Sequence, residues 1–409
     1  MTDEPATPRW RLPDSLEGVG IVYFGNSWNT ENRTSSHHIA VQLASQMPVM
    51  YVDSPGMRGP SATSRDVRKA IRTVSTAASK PRQISENLWH STVPQLPYRR
   101  VPGVERINHG FGVWAARRAM ACIACRDWIS WFVVPHLGLM AGALGEKLCV
   151  YYCVDDYAAH PGVDSDVMTR LDRHLTCTAD QVFVAPPAIV DAKKALNPHT
   201  VFSPHGVDAS LFARARDPTT PVPEAAQRLS RPVVGFFGLI ADWIDVELIA
   251  FMARARPQWS FLLVGHVYAD TRLLDDLKNI VMVGAQSYES LPGWAKAFDV
   301  AIIPYRDVRQ TRNANPLKLR EYLATGCPVV ATPTPEVERF REWVRIASTG
   351  PEFIMQIEAA LREESIAAGA ARMEAVKSMT WVARVQSVLD VVGARVTERS
   401  ARLPQNSHI

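Results

Sequence analysis

A chain of 409 residues exceeds the usual size of one domain and fits two of about 150–200 residues, each able to bury its own core. With 47% hydrophobic and 21% charged residues it has the balance of an ordinary globular protein, which excludes a chain that is disordered throughout. The formal charge of +4 is too mild to argue for or against an anionic partner, and no nucleic acid is expected.

No run of about 18 apolar residues appears, and Met1 to Trp10 is acidic and Pro-rich, so neither a membrane span nor a secretion signal is indicated. Six cysteines in such a chain read as reduced thiols, and the expected compartment is the cytoplasm. Between Arg58 and Arg82, the cations Arg65, Arg68, Lys69, Arg72 and Lys80 lie opposite Val67, Ile71 and Val74 at helical spacing. The simpler reading is a solvated helix facing the protein's own core. The alternative is peripheral contact with an anionic membrane at its inner face.

In chain order, the predicted elements begin with a strand at Gly20 to Phe24, a helix over Ser35 to Gln46 and a strand at Val49 to Val52, a βαβ opening. The rhythm continues with Asn87 to Thr92, a helix over Asn108 to Ala124, Ile129 to Val134, a helix after His136, and Cys149 to Cys153. A helix near Asp166 to Cys177, Gln181 to Ala185, a helix over Pro187 to Leu196, and Thr200 to Ser203 complete the half. Continuous apolar strands predict a parallel sheet covered on both faces.

Residues 216–232 hold four prolines and little apolar content, the composition of an interdomain linker. Beyond them come Pro232 to Phe237, a helix from Ile244 to Arg256, Ser260 to Val264, Ile280 to Val283, a helix near Leu291 to Phe298, and Val300 to Pro304. A helix from Pro316 to Thr325, the strand Pro328 to Ala331, and helices over Glu352 to Glu364 and Ala370 to Val392 end the ordered chain. The expected organisation is 1–215, linker 216–232, 233–379, and a final helix and tail over 380–409.

The densest chemistry lies at Thr311-Arg-Asn-Ala-Asn-Pro-Leu-Lys-Leu-Arg-Glu-Tyr-Leu-Ala-Thr-Gly. Asn315 is a favoured N-cap, Pro316 suits the first helical position, and Gly326 suits a left-handed stop. Lys318, Arg320 and Arg312 gather at the positive end of this helix, where each cation is opposed by about 0.3–1 kcal/mol. Cations held against the dipole, with the free N–H groups from Leu317 onward, are what a diphosphate needs. Glu321, three residues past Lys318, lies on the same face and can reach a vicinal diol such as a ribose. The bland alternative is a surface helix with a Lys318–Glu321 ion pair.

Asn313 to Glu321 has the spacing of the motif of two glutamates separated by seven residues in retaining GT-B glycosyltransferases. The stretch from Pro316 to Val330 resembles its form in bacterial cell-surface polysaccharide enzymes, of the family 4-like, group 1, teichuronic acid type. Phe237-Gly238 to Asp245, Asp155-Asp156-Tyr and His205-Gly206-Val-Asp208 look like further signatures of that group, in family order. Two departures stand out. Asn313 replaces the first glutamate, and the turn after Gly238 lacks the basic residues of many relatives, so Arg312 and Lys318 would supply that charge.

The resemblance implies an α/β GT-B fold: two facing Rossmann-like domains with parallel sheets and an interdomain cleft. It also implies sugar transfer from a nucleotide diphosphate sugar, with retention, to a carbohydrate or lipid-linked acceptor, without a cofactor. His136 would orient the sugar, Asp156 would meet the acceptor hydroxyl, and Asn313 would stand beside the reacting centre. Gly238, Arg312, Asn315, Leu317, Lys318 and Glu321 would hold the donor, and Asn26, Trp28 and Arg33 the acceptor. A nucleotide-sugar sensor or scaffold, or an epimerase on the same fold, is the alternative. No metal is assigned: Cys122, Cys125, Cys149 and Cys153 read as core thiols, and Asp164 and Asp166 as helix-start acids.

Overall fold

The computed structural model describes residues 11–30, 33–54, 80–96 and 99–402. The basic stretch after Arg58 lies outside them as far as residue 79. The chain forms two compact units, one of Met1–Pro204 with Trp381–Ile409, the other of His205–Thr380.

The first unit is built on eight strands: β1 (Val19–Phe24), β2 (Val49–Asp53), β3 (Arg82–Ser85), β4 (Leu88–Thr92), β5 (Asp127–Phe132), β6 (Leu148–Cys153), β7 (Gln181–Val184) and β8 (Thr200–Phe202). Their order is β3-β4-β2-β1-β5-β6-β7-β8, parallel throughout except for the antiparallel pair β3/β4. β1 and β6 are buried at every position, which is why they read as unbroken apolar runs instead of alternating ones. The exposed, polar β3 carries no such signal and was not expected.

The second unit has six strands, β9 (Val233–Phe237), β10 (Ser260–Val264), β11 (Ile280–Met282), β12 (Val300–Ile303), β13 (Val329–Ala331) and β14 (Val344–Ile346). They run in the order β11-β10-β9-β12-β13-β14, with every pair parallel. In both sheets the strand order reverses beside the first strand of the unit, between β1 and β5 and between β9 and β12. Open α/β sheets offer a crevice at the carboxyl ends of such strands.

Several boundaries differ from expectation. Residues 205–232 pack with the second unit: Phe212 and Ala226 join its core, and Lys296 Nζ donates to the carbonyls of Asp217, Pro218 and Thr220. Prolines there remove donors, and a lysine from outside the segment satisfies three of its carbonyls. The segment after His136 is a 3-10 turn, Pro135–Met140, not an α-helix. The predicted long C-terminal helix breaks in two, Ile366–Lys377 and Trp381–Arg402. The latter packs in the first unit, where Trp381 stacks on His38 and Ser15 Oγ donates to the Gly393 carbonyl.

Among the described residues no helix is long and apolar enough to cross a membrane. Cys149 and Cys153 are buried thiols, but Cys122 is exposed and Cys125 half-buried, a correction to their reading as core. Asp164 caps the helix Ser165–Thr178 and pairs with Arg100.

Candidate functional site

In the second unit the crevice between β9 and β12 is framed by the helix Leu317–Ala324. Its inner residues lock it to the end of β9: the Phe237 N–H donates to the Tyr322 hydroxyl at 2.7 Å, and that hydroxyl lies 3.3 Å from the Phe237 carbonyl. Gly238, next in the chain, takes φ +121°, a conformation L side chains rarely adopt. A Cβ there would lie 2.9 Å from both Cε and Nζ of Lys318. The neighbouring Gly265, after β10, is held as tightly, since its Cβ would meet the Gly238 carbonyl oxygen at 1.9 Å. Absent side chains thus bring backbone and the Lys318 ammonium together at the strand ends.

The three cations expected to converge here have separate fates. Arg312 is exposed and engages Asp307 through both Nε and Nη2, the latter at 2.7 Å. Arg320 is buried. It donates to Asn315 Oδ1 at 2.8 Å, pairs with the buried Glu336 and lies over the Phe340 ring. Asn315 is therefore occupied as a brace for Arg320 and does not cap the helix; the N-cap is Pro316, and the helix begins one residue later than expected, at Leu317. Only Lys318, of the three, has no carboxylate within salt-bridge distance among the described residues. Its Nζ lies 4.3 Å from the Phe236 ring centre and 5.4 Å from that of Tyr305.

Desolvation pulls the Lys318 ammonium down to about 8, with Glu321 opposing the shift. Burial pushes the Glu321 carboxyl up to about 7, against the pull of Lys318 and of the Tyr288 hydroxyl, which donates to Oε1 at 3.3 Å. Both groups are poised near neutrality, as expected where two opposite charges share a low-dielectric pocket without touching. Asn313 ends the preceding short helix, Arg309–Arg312, and is half-buried. Gly326 takes the expected left-handed turn, φ +73°.

In the first unit, Asn26 and Trp28 follow β1. The Tyr51 hydroxyl donates to the Asn26 carbonyl at 2.7 Å, and the Trp28 ring packs edge-on to Tyr51 and tilted against His37. The loop is pinned by buried Asp53 at the end of β2, which accepts from the Trp28 N–H at 2.9 Å and from the Thr92 hydroxyl at 2.7 Å, with His90 Nε2 3.1 Å away. Burial pushes the Asp53 carboxyl up, but His90, the Trp28 N–H and the Thr92 hydroxyl together hold it below its ordinary range. The helix after this loop, Ser35–Ala44, is capped by Thr34 and His37. Arg33 is exposed.

His136 is buried at the β1/β5 reversal, its Nε2 hydrogen-bonded to Ser54 Oγ, and its Nδ1 has no hydrogen-bond partner among the described residues. Desolvation, then the charge of Arg99, holds the imidazole well below its ordinary pKa, so it is neutral. Asp156 is half-buried after β6 and caps the turn Tyr157–Ala159 only through its backbone, while Asp155 pairs with His160 at 2.9 Å. Asn26 Oδ1 accepts from the Tyr157 hydroxyl at 3.3 Å, so the β1 and β6 ends are joined.

A cavity of about 620 Å³ opens beside Tyr305 at the carboxyl ends of β12 and β13. Its wall carries Asp245, Glu247 and Asp307 against Arg306 alone, which makes it a poor seat for a polyanion. Sequence reasoning missed Tyr288, Tyr322 and Gly265 in the second unit, and Asp53 and Arg99 in the first. Glycine recurring just after adjacent strands, at 238, 265 and 284, was a signal available for Gly265.

Two parallel α/β units, the second with a short helix bringing Lys318 to its switch point, make this a protein of the GT-B fold. Residues 231–372 match the family model described as glycosyl transferases group 1. The chain is similar to TuaH of Bacillus subtilis strain 168, described as a teichuronic acid biosynthesis glycosyltransferase, at 26% identity over 231 residues. The match covers 52% of this chain and 57% of that protein, little more than half its length. Among solved structures, the sucrose-phosphate synthase of Thermosynechococcus elongatus superposes with a TM-score of 0.66 at 14% identity, covering 93% of this chain and 99% of the other. Anabaena Alr3699/HepE in complex with UDP superposes at 0.62 and 14% identity over 92% and 100%. At such identities these structures speak for the fold.

Proposed function

We propose that the protein is a glycosyltransferase that moves a sugar, with retention of configuration, from a nucleotide diphosphate sugar to a carbohydrate or lipid-linked acceptor in cell-surface polysaccharide or glycolipid synthesis. The observation that carries this is the Lys318 ammonium, desolvated, without a carboxylate partner among the described residues, and packed on Gly238 at the switch point of the second unit. A diphosphate fits its charge, the N–H groups from Leu317 onward add donors, and Glu321 is three residues away for the ribose. Arg312 contributes only if it leaves Asp307.

The reading assigns no metal, since Lys318 and the helix amides meet the leaving-group charge. In the first unit, neutral His136 suits a hydrogen bond to a sugar hydroxyl through Nδ1, and Asp156 is the acceptor-side carboxylate. Asn26, Trp28 and Arg33 border the acceptor. The UDP bound in the structural neighbour HepE supports this class.

Asn313, where relatives of the type carry a carboxylate, favours a second reading, a nucleotide-sugar sensor or scaffold. A thermal-shift panel of UDP, GDP and their sugars on wild type and Lys318→Ala tests the site. Stabilisation of wild type alone is expected, and equal responses overturn the assignment. Slow release of free sugar from the stabilising donor then separates a transferase from a sensor, which protects its ligand.

A further inference from the structure

The helix Val104–Met120 in the first unit is amphipathic in an inverted sense. Its buried side is made of Asn108, Gly112, Ala115, Ala116 and Ala119, with Met120 at the end. That side is packed too closely for anything larger, since a Cβ on Gly112 would lie 2.5 Å from Met140 Sδ. The large apolar residues point outward: Ile107, Phe111 and Trp114 are 46%, 56% and 50% exposed. Their spacing of four and three places them on one stripe, which Arg118 extends. The Arg118 guanidinium lies over the Trp114 ring at 5.6 Å from its centre. Exposed Val101 precedes the helix in the same neighbourhood of sequence.

The charges flanking the stripe have one sign. Glu105 is the helix's only acid and is engaged by Arg170, whereas Arg106, Arg117 and Arg118 are exposed; Arg117 donates to the neutral Ala143 carbonyl. A stripe one helix wide, with three side chains half-exposed, offers roughly 300 Å² of apolar contact, well below the ~800 Å² per partner of a stable protein interface. Outward aromatics beside exposed arginines, one of them lying over Trp114, suit the boundary between acyl chains and headgroups.

We propose that this stripe docks the protein on an anionic lipid bilayer, with Ile107, Phe111 and Trp114 entering the acyl boundary and Arg106, Arg117 and Arg118 meeting the headgroups. The proposal stands independently of the donor site. It places membrane contact on a helix the sequence did not single out, instead of on the basic stretch after Arg58.

Co-sedimentation of the full chain with vesicles tests it. Vesicles of phosphatidylcholine containing phosphatidylglycerol bind the wild type, those of phosphatidylcholine alone bind it far less, and salt weakens the interaction. Phe111→Ser with Trp114→Ser lowers anionic-vesicle partition by about 10-fold or more, and Arg117→Glu with Arg118→Glu, which leaves the apolar stripe intact, does so by a similar factor. Both variants keep the wild-type melting temperature and nucleotide response. Equal partition of wild type and both variants, no binding to anionic vesicles, or a concentration-dependent dimer abolished by Phe111→Ser/Trp114→Ser each overturns the proposal.

Discussion

Lys318 and Arg320 stand two residues apart on one short helix and answer the same electrostatic problem in opposite ways. Arg320 meets Glu336 and Asn315, with both members of the ion pair almost wholly buried. Lys318 rests beside the faces of two aromatic rings, and among the described residues no carboxylate, Glu321 one turn on included, comes within salt-bridge distance. The first arrangement is closed and serves the fold. The second keeps charge in a poorly solvated place, which a protein retains where an external anion completes it. Arg312, exposed and paired with Asp307, belongs to neither class, because water screens it.

The largest effect expected is on the closed pair. Arg320→Ala takes away the buried partner of Glu336 and leaves it the more exposed Arg339 at 3.5 Å, and should lower unfolding free energy by about 3 kcal/mol in urea titration. A loss below about 1 kcal/mol would mean that the pair is solvated and the contrast with Lys318 unreal.

Next in size, Lys318→Ala should weaken nucleoside diphosphate binding by about 10–100-fold in calorimetry, the worth of one charge-assisted contact, with little change in stability. Arg312→Ala should stay within about threefold of wild type. If Arg312→Ala proves the more damaging, the open cation has been misidentified.

Gly238→Ala combines a strained φ with a Cβ against Lys318 and should cost about 1–3 kcal/mol of stability. Its nucleotide affinity should fall as well, because Lys318 must move. A variant that binds normally would show that the ammonium need not rest on this glycine.

The smallest effects lie in pH. Glu321 holds a proton in the fold up to about pH 7, but only to 4.5 when exposed, so its contribution to stability falls as pH rises between those values. Lys318 behaves in the other direction. Its folded pKa is about 8 against 10.5, so between those values the unfolded chain binds the extra proton and stability rises with pH. Glu321→Gln should flatten the urea-midpoint profile between pH 4.5 and 7, and diphosphate affinity of the wild type should decline above about pH 8 as the ammonium is lost. An unchanged profile in the variant would place Glu321 in water.

The strands of both sheets were legible because burial on two faces leaves unbroken apolar runs, as in Val19–Phe24 and Val300–Ile303. β3 and β14 were not, since one is exposed and polar and the other is a half-buried stretch whose apolar run is broken by Arg345. Within the site, the helix at Leu317 and the stop at Gly326 were readable from local chemistry. The division of labour among cations was not: Arg320 and Lys318 look alike in a sequence, and what separates them, Glu336, lies 16 residues from Arg320. Asn315 shows the same limit, because a residue suited to capping was taken by a stronger, charged donor.

The chain passes from one unit to the other twice, near Pro204 and near Thr380, and at that junction Val207 donates to the Met379 carbonyl at 2.9 Å and bridges Thr380. The second unit is thus a continuous cassette whose two ends are already tied together. The first unit has no such continuity: it is assembled from segments on both sides of this cassette and is complete only once the helix Trp381–Arg402 has been made.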